Sequence, residues 1–325
     1  MKAAFYTEYG PPEVIKISNL SKPVAKQDEV LVRVHAATVI KGDCEFRAFT
    51  FPAWFWLPLR IYAGLLRPKR CNILGQELSG VVEAVGDAVT RFKPGDEIFA
   101  PTELGLAAHA EYKCLKASGV ISHKPPNATH GQAATLPTGG LNALHYMRLA
   151  NIKPDEKVVI VGACGNIGSF AVQLAKYFGA EVTGVDSADK LQAVRDIGAD
   201  HVIDYATQDF TQTGDQYDVI FDTAGHTHYG RSLQALAPGG RYLLANPGFF
   251  QMLRSPFSGL FNDKTVLFRF AKYDQDELDF LGGLLKSGDL KPLIDRDYSL
   301  ADIAGAHHYL DSGGKAGNIT ITVTE

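Results

Sequence analysis

The hydrophobic pattern changes character near residue 123. Before it, short runs rich in β-branched residues alternate weakly, as in Val30–Val34 and in Leu78–Val85, which ends in a turn at Gly86-Asp87. Pro94-Gly95 marks a further tight turn before a strand resumes at Ile98, and Met1–Gly10 reads as a strand entering a turn. Many short strands with Gly and Pro turns predict a small barrel or sandwich. After the Pro-rich His123–Asn127 the pattern alternates. Helical periodicity covers parts of 129–150, and Lys157–Val161 is the apolar run of a buried parallel strand. A helix over 169–178 closes at Gly179, and a second over 188–197 closes at Gly198. Strands are predicted at 181–185, 201–204, 217–221 and 240–245, then an amphipathic helix at 276–286.

Alternating β and α units of this length predict a doubly wound parallel sheet. The chain is therefore expected to be an α/β protein of two domains, with the sheet in 123–289 and the strand-rich domain in 1–122. The strand-like tail, Gly317–Val323, has no obvious place in a completed α/β sheet, so 290–325 is expected to return to the first domain.

Composition narrows the function classes. Hydrophobic residues make up 46% and charged residues 21%, an ordinary globular balance. The 32 basic and 36 acidic residues leave a net charge of −4, without the basic excess of a nucleic-acid binder. Cys44, Cys71, Cys114 and Cys164 form no C-x-x-C pair and read as free thiols. The N-terminus lacks the apolar run of a secretory leader, and a cytoplasmic location is expected. The apolar segment Phe49–Arg70 is interrupted by Pro52, Pro58 and Arg60, so no membrane span is expected.

The strongest local signal is Lys157–Ala180, a strand, a glycine loop and a helix. Glycines at 162, 165 and 168 let the backbone approach a pyrophosphate, and the helix start offers free N–H groups and a favourable dipole. Ala163 is read as standing where the G-x-G-x-x-G fingerprint has its second glycine. The strand-to-helix setting still supports a dinucleotide, held by Gly162, Ala163, Gly165, Asn166 and Ile167. Asp186, at the end of the next strand, suits the adenosine ribose hydroxyls of NAD(H). Lys190 and Tyr205 lie where they could instead meet the 2′-phosphate of NADP(H), which leaves the choice open.

Several stretches taken together are similar to the medium-chain dehydrogenase/reductase superfamily, in particular its zinc-free quinone oxidoreductase-like branch. They are Leu74–Gly86, Arg91–Ala100, Ala133–Leu144, the glycine loop, Gly198–Tyr205 and Ala237–Leu244. The resemblance implies a GroES-like β-rich barrel domain and a Rossmann domain, with the active site in the cleft between them, and a homodimer. It implies cofactor contacts at Asn142, Thr223, Ala224, Asn246 and Asn318. Where zinc-dependent relatives carry ligands, this chain has Ile40, Gln76 in place of the histidine of G-H-E, and Thr138-Gly139-Gly140. Ile and Gly side chains cannot coordinate zinc and an amide is a poor substitute for imidazole, so no metal is expected.

Without a Lewis acid, hydride transfer from NAD(P)H to a quinone or an α,β-unsaturated carbonyl is the favoured chemistry. Such an acceptor spreads the developing charge to an oxygen that a few donors can stabilise. The catalytic side chains are Asp43 and Thr138 if any, with an Asp43–Arg47 ion pair as the structural alternative for the first. Trp54 and Trp56, the only tryptophans, sit in an aromatic insert that suits core, dimer surface or substrate lid, with Phe249 and the stretch to Phe261 as a second pocket wall. His226, His228, His307 and His308 read as surface or loop residues. The alternatives are an enoyl-thioester reductase and a non-catalytic NAD(P)H-binding sensor.

Overall fold

The computed structural model describes residues 1–225, 227–255 and 263–324, and the side chains of all of these except Phe249, Phe250 and Arg254. The chain begins with β1 (Lys2–Phe5), β2 (Lys16–Asn19), the long β3 (Glu29–Val39), α1 (Lys41–Ala48) and α2 (Ala53–Ala63). Next come β4 (Glu77–Val85), β5 (Glu97–Pro101), β6 (Tyr112–Lys116), β7 (Ser122–His123) and α3 (His130–Ala134). A π turn at Leu136–Gly140 leads into α4 (Leu141–Ala150). The alternating part follows: β8 (Lys157–Val161), α5 (Asn166–Tyr177), β9 (Glu181–Asp186), α6 (Leu191–Asp196), β10 (His201–Asp204), β11 (Tyr217–Asp222), α7 (Tyr229–Gln234), β12 (Leu236–Leu244), α8 (Phe249–Arg254) and β13 (Thr265–Leu267). The chain closes with α9 (Gln275–Ser287), β14 (Ile294–Ser299), α10 (Ile303–Asp311) and β15 (Asn318–Thr322).

Two compact units result. The first comprises 1–138, 273–288 and 294–325, and the second 139–272 and 289–293. In the first, β3 is the hub. It pairs antiparallel with β4, β6 and β15, and β15 pairs parallel with β14, so the C-terminal strand does return to the strand-rich unit. Val30, Val32, Val34, Ala37 and Val39 on β3 are fully buried and join Leu78, Ile98, Ile319 and Ile321 in one core.

In the second unit the described strands form a parallel sheet of order β10-β9-β8-β11-β12-β13. This order reverses beside β8, so the carboxyl end of β8 is the place where a doubly wound sheet leaves room for a ligand. Val158, Val159 and Ile160 have no exposure, which explains the uninterrupted apolar run.

The unit boundaries differ from those expected at 123 and 290. Residues 123–138 belong to the first unit because Lys124 N donates to Glu97 O and α3 packs on β3, β4 and β5. Helix α9 also belongs there. Ser122 Oγ donates to Asp279 Oδ1 at 2.5 Å, and Gly282 lies against Phe99. Helix α2 had no counterpart in the sequence reading. Pro52 serves as its N-cap and Pro58 sits within it, so the prolines that suggested interruption are accommodated.

Candidate dinucleotide site and the polar cluster of the first unit

The loop after β8 is built for close approach. Gly162 has φ +75°, and a Cβ there would lie 2.7 Å from Thr223 Oγ1. A Cβ on Gly168 would lie 2.0 Å from Gly162 O, so only glycine lets the first turn of α5 pass over the strand end. The structure corrects the register read from sequence. Gly165, the N-cap residue of α5, and Gly168 are three apart and take the second and third fingerprint places, so Ala163 occupies the first. Alanine is accepted because the tight turn falls one residue earlier, at Gly162. The Ala163 side chain is buried toward Gly184, where a Cβ would come within 3.1 Å of it.

Asp186 is 8% exposed at the end of β9. Its Oδ2 accepts from Cys164 N at 2.8 Å and its Oδ1 from Ser187 N at 2.9 Å, with Lys190 Nζ 4.0 Å from Oδ1. The carboxylate thus ties β9 to the glycine loop. Tyr205, 63% exposed, lines a cavity of about 630 Å³ with Gly162, Asp186, Phe210, Ala224 and His228.

Sequence reasoning missed the residue that shapes one wall of this cavity. Asp222 is fully buried at the end of β11. Its Oδ1 accepts from Ala224 N (2.9 Å) and Gly225 N (2.7 Å), and its Oδ2 from Thr227 N (3.2 Å) and Thr227 Oγ1 (2.5 Å). Thr223 Oγ1 donates to Val161 O at 2.8 Å, and Asn246 Nδ2 donates to Thr223 O at 2.8 Å. The signal was present as an Asp closing an apolar strand before Thr-Ala-Gly, a pattern in which a short carboxylate folds the following turn. Asn142 lies in the first turn of α4, and the preceding Gly139 abuts Asn166, where a Cβ would meet its carbonyl at 2.8 Å. The second unit therefore gathers the sites at 162–167, 186, 190, 205, 223, 224 and 246 at the carboxyl ends of its strands.

The remaining candidates belong to the first unit. Asn318 is buried at the start of β15. Asp43 is fully buried, with Oδ2 accepting from Ile40 N and Oδ1 from Gly75 N, both at 3.0 Å. Burial pushes its carboxyl above the usual range, opposed by the nearby His109. The expected Asp43–Arg47 pair is replaced. Arg47, 3% exposed, instead donates to Asp311 Oδ2 (2.7 Å), His307 Nδ1 (3.0 Å) and Gly10 O (3.0 Å). His307 is buried as well, not a surface residue, because it caps this buried guanidinium.

Thr138 N donates to Glu77 Oε2 at 2.6 Å, and Thr38 Oγ1 donates to Oε1 at 2.5 Å. Burial raises the Glu77 carboxyl to about 7. Trp54 and Trp56 are each 38% exposed, and Trp56 meets Phe49 edge-on at 5.7 Å. The side chain of Phe249, His226, and residues 256–262 of the second apolar stretch lie outside the described residues.

The residues at the zinc-ligand positions do not fit zinc. Ile40 is an aliphatic, 7% exposed side chain. Gln76 presents an amide whose Nε2, a donor and not a ligand, lies where a Cβ on Gly42 would be 2.3 Å away. Among the described residues no group of three His, Cys, Asp or Glu side chains could hold a metal ion, and no helix is long and apolar enough to cross a membrane.

A strand-rich unit joined to a parallel-sheet unit with a glycine-lined cradle defines the dinucleotide-dependent oxidoreductase class. An alcohol dehydrogenase GroES-like domain matches residues 26–145, and a zinc-binding dehydrogenase domain matches 197–321. The chain is 29% identical to the 2-methylene-furan-3-one reductase of Solanum lycopersicum and 28% identical to the chloroplastic NADPH-dependent alkenal/one oxidoreductase of Arabidopsis thaliana. In both cases 99% of this chain and 79% of that protein are covered. The quinone oxidoreductase structure from Coxiella burnetii superposes with a TM-score of 0.89 at 26% identity, covering 100% of this chain and 99% of the other. The chain belongs to the medium-chain dehydrogenase/reductase superfamily and is a quinone oxidoreductase-like, NAD(P)H-dependent oxidoreductase of that type.

Proposed function

We propose that this protein is a zinc-independent reductase of quinones or α,β-unsaturated carbonyls, and that NADPH is its hydride donor. The observation that carries the reading is the donor set at the metal-ligand positions, Ile40 and Gln76, in a chain that also carries the glycine loop of a dinucleotide cradle. When bound, the reduced dinucleotide supplies a hydride to the conjugated acceptor, and a solvent proton completes the reduction. The chain's own residues do the rest. The α5 N-terminus and Gly162–Gly168 hold the pyrophosphate, with Thr223, Ala224 and Asn246 forming the adjacent wall. By the family resemblance, Asn142 and Asn318 are assigned to the nicotinamide end, Thr138 to the acceptor, and Trp56 and Phe249 to a lipophilic substrate.

The choice of NADPH rests on three features. The Asp186 oxygens are already taken by backbone N–H groups, Lys190 stands 4.0 Å from that carboxylate, and the exposed Tyr205 borders the same cavity. The named alkenal/one and furanone reductases agree with this chemistry. The test is oxidation of NADPH and of NADH against a panel of quinones, enals, enones, enoyl thioesters and simple aldehydes, with and without chelator. Turnover of conjugated acceptors with NADPH, unchanged by chelation, is expected. Chelator-sensitive turnover of simple aldehydes would overturn the reading.

A further inference from the structure

Helix α2 is apolar on two faces. Leu59 and Ala63 are buried, and Phe55 and Tyr62 pack on the core of the first unit. Trp54, Leu57, Pro58 and Ile61 follow the i, i+3, i+4, i+7 spacing of a single stripe, and that stripe is exposed. Leu57 and Ile61 are 55% and 68% exposed, and Leu65 and Leu66, just past the helix, 57% and 89%. A helix apolar all round belongs in a core or in lipid, and a contiguous exposed patch of this kind marks an interaction surface.

The charges around the patch indicate what it meets. No Asp or Glu occurs from Phe46 to Gln76. Within that stretch Arg67, Lys69 and Arg70 are exposed, while Arg60 lies over the Tyr9 ring at 3.7 Å. In the whole chain acids outnumber bases 36 to 32, so the cluster runs against the overall balance. Glu103 adjoins the patch, where Tyr62 OH donates to Leu104 O, and offsets one cation. A self-complementary contact between two copies sets the same patch against itself, with like charges around it.

We propose that α2 and the Leu65–Arg70 segment dock this protein on the surface of an anionic lipid bilayer. Trp54, Leu57, Ile61, Leu65 and Leu66 enter the boundary between headgroups and acyl chains, and Arg67, Lys69 and Arg70 face the lipid phosphates. The 11 residues of α2 span roughly 16 Å, about half a bilayer core, so the helix lies in the interface and does not cross.

Both tryptophans of the chain sit on α2, so tryptophan emission, excited selectively over that of tyrosine, reports on this helix alone. The full chain is mixed with vesicles of phosphatidylcholine, alone or with phosphatidylglycerol, and with vesicles carrying brominated acyl chains. The expected result is co-sedimentation with the phosphatidylglycerol vesicles, a blue shift, quenching by bromine, and weakening as salt is raised. Leu57→Ser with Ile61→Ser and Leu66→Ser should weaken binding at least ~10-fold, and glutamine at 67, 69 and 70 should remove the preference for phosphatidylglycerol. Retained NADPH binding by the variants shows that they are folded. Unchanged emission with anionic vesicles would overturn the proposal. So would a blue shift that appears without vesicles, rises with protein concentration and accompanies a doubled mass in light scattering. No substrate is involved, so the outcome is independent of the proposed reaction.

Discussion

Asp186 Oδ2 accepts the Cys164 N–H at 2.8 Å, which fastens the end of β9 to the glycine loop one strand away. The Cys164 residue is 1% exposed, so this amide has little access to water. Asp186→Ala is therefore expected to lower stability by about 1–3 kcal/mol, the cost of removing the acceptor of a buried donor, as read from urea unfolding. Because the loop itself loosens, affinity for NADPH and for NADH should fall together in fluorescence titrations. A loss confined to NADH would show instead that the carboxylate serves the ribose hydroxyls.

Lys190 and Tyr205 carry the cofactor preference in the proposed reading. Lys190→Ala removes a cation beside the cavity and should raise the Kd for NADPH ~10-fold while leaving NADH within about two-fold, since only the former carries the phosphate. Tyr205→Phe should follow with a smaller effect, because it removes one hydroxyl and no charge. Equal losses for both dinucleotides would assign Lys190 to neutralising Asp186.

Much of the second unit was legible because its strands are buried on both faces and its helices end at glycines. Lys157–Val161 and His201–Asp204 coincide with β8 and β10, and Gly179 and Gly198 have φ of +88° and +107°. Asp222 was not legible as a site residue because its role is to collect N–H groups from its own turn, which leaves no spacing pattern. Helix α2 was hidden by its two prolines and by apolar residues on every side, which erase the period. The boundary near 123 was misplaced for a related reason. Helices α3 and α9 look like parts of an α/β alternation, yet their apolar faces pack on β3–β5 and β7. Arg47 was assigned to its helix neighbour Asp43 by sequence distance, whereas its partners Asp311 and His307 lie more than 250 positions away.

Glu77 gives stability a pH dependence opposite to that of a salt-bridged carboxylate. Its carboxyl is raised from 4.5 to about 7, so between these values the folded chain holds a proton that the unfolded chain has lost. Unfolding then releases that proton to solvent, so the Glu77 contribution to stability decreases as pH rises through the window. The change amounts to roughly 2–3 kcal/mol between pH 4.5 and 8, and the raised carboxyl of Asp43 adds in the same direction. Because His109, His130 and His307, held below their usual range by desolvation, impose the opposite slope, the contribution is read as a difference. In urea unfolding the stability advantage of the native chain over Glu77→Gln should shrink as pH rises through the window. A difference between the two chains that stays constant with pH over this range would count against a protonated Glu77.

Gly168 and Gly283 are both helical glycines, yet alanine should act oppositely at the two. At 168 the new Cβ would lie 2.0 Å from Gly162 O, a backbone atom at the tip of β8 that cannot step aside without moving the loop. Gly168→Ala should cost more than about 2 kcal/mol and abolish dinucleotide binding, since the proposed pyrophosphate cradle and the overpacked contact are the same piece of backbone. At 283, on the exposed side of α9, nothing lies within 4 Å of the added atom and φ is not positive. Gly283→Ala should stabilise by about 0.5–1 kcal/mol through helix propensity alone, with NADPH affinity unchanged. Thermal unfolding of the two variants, each with and without NADPH, separates the effects. The native chain and Gly283→Ala should gain in Tm on adding the cofactor, whereas Gly168→Ala should not, and a cofactor-dependent gain in Gly168→Ala would remove the loop from the binding site.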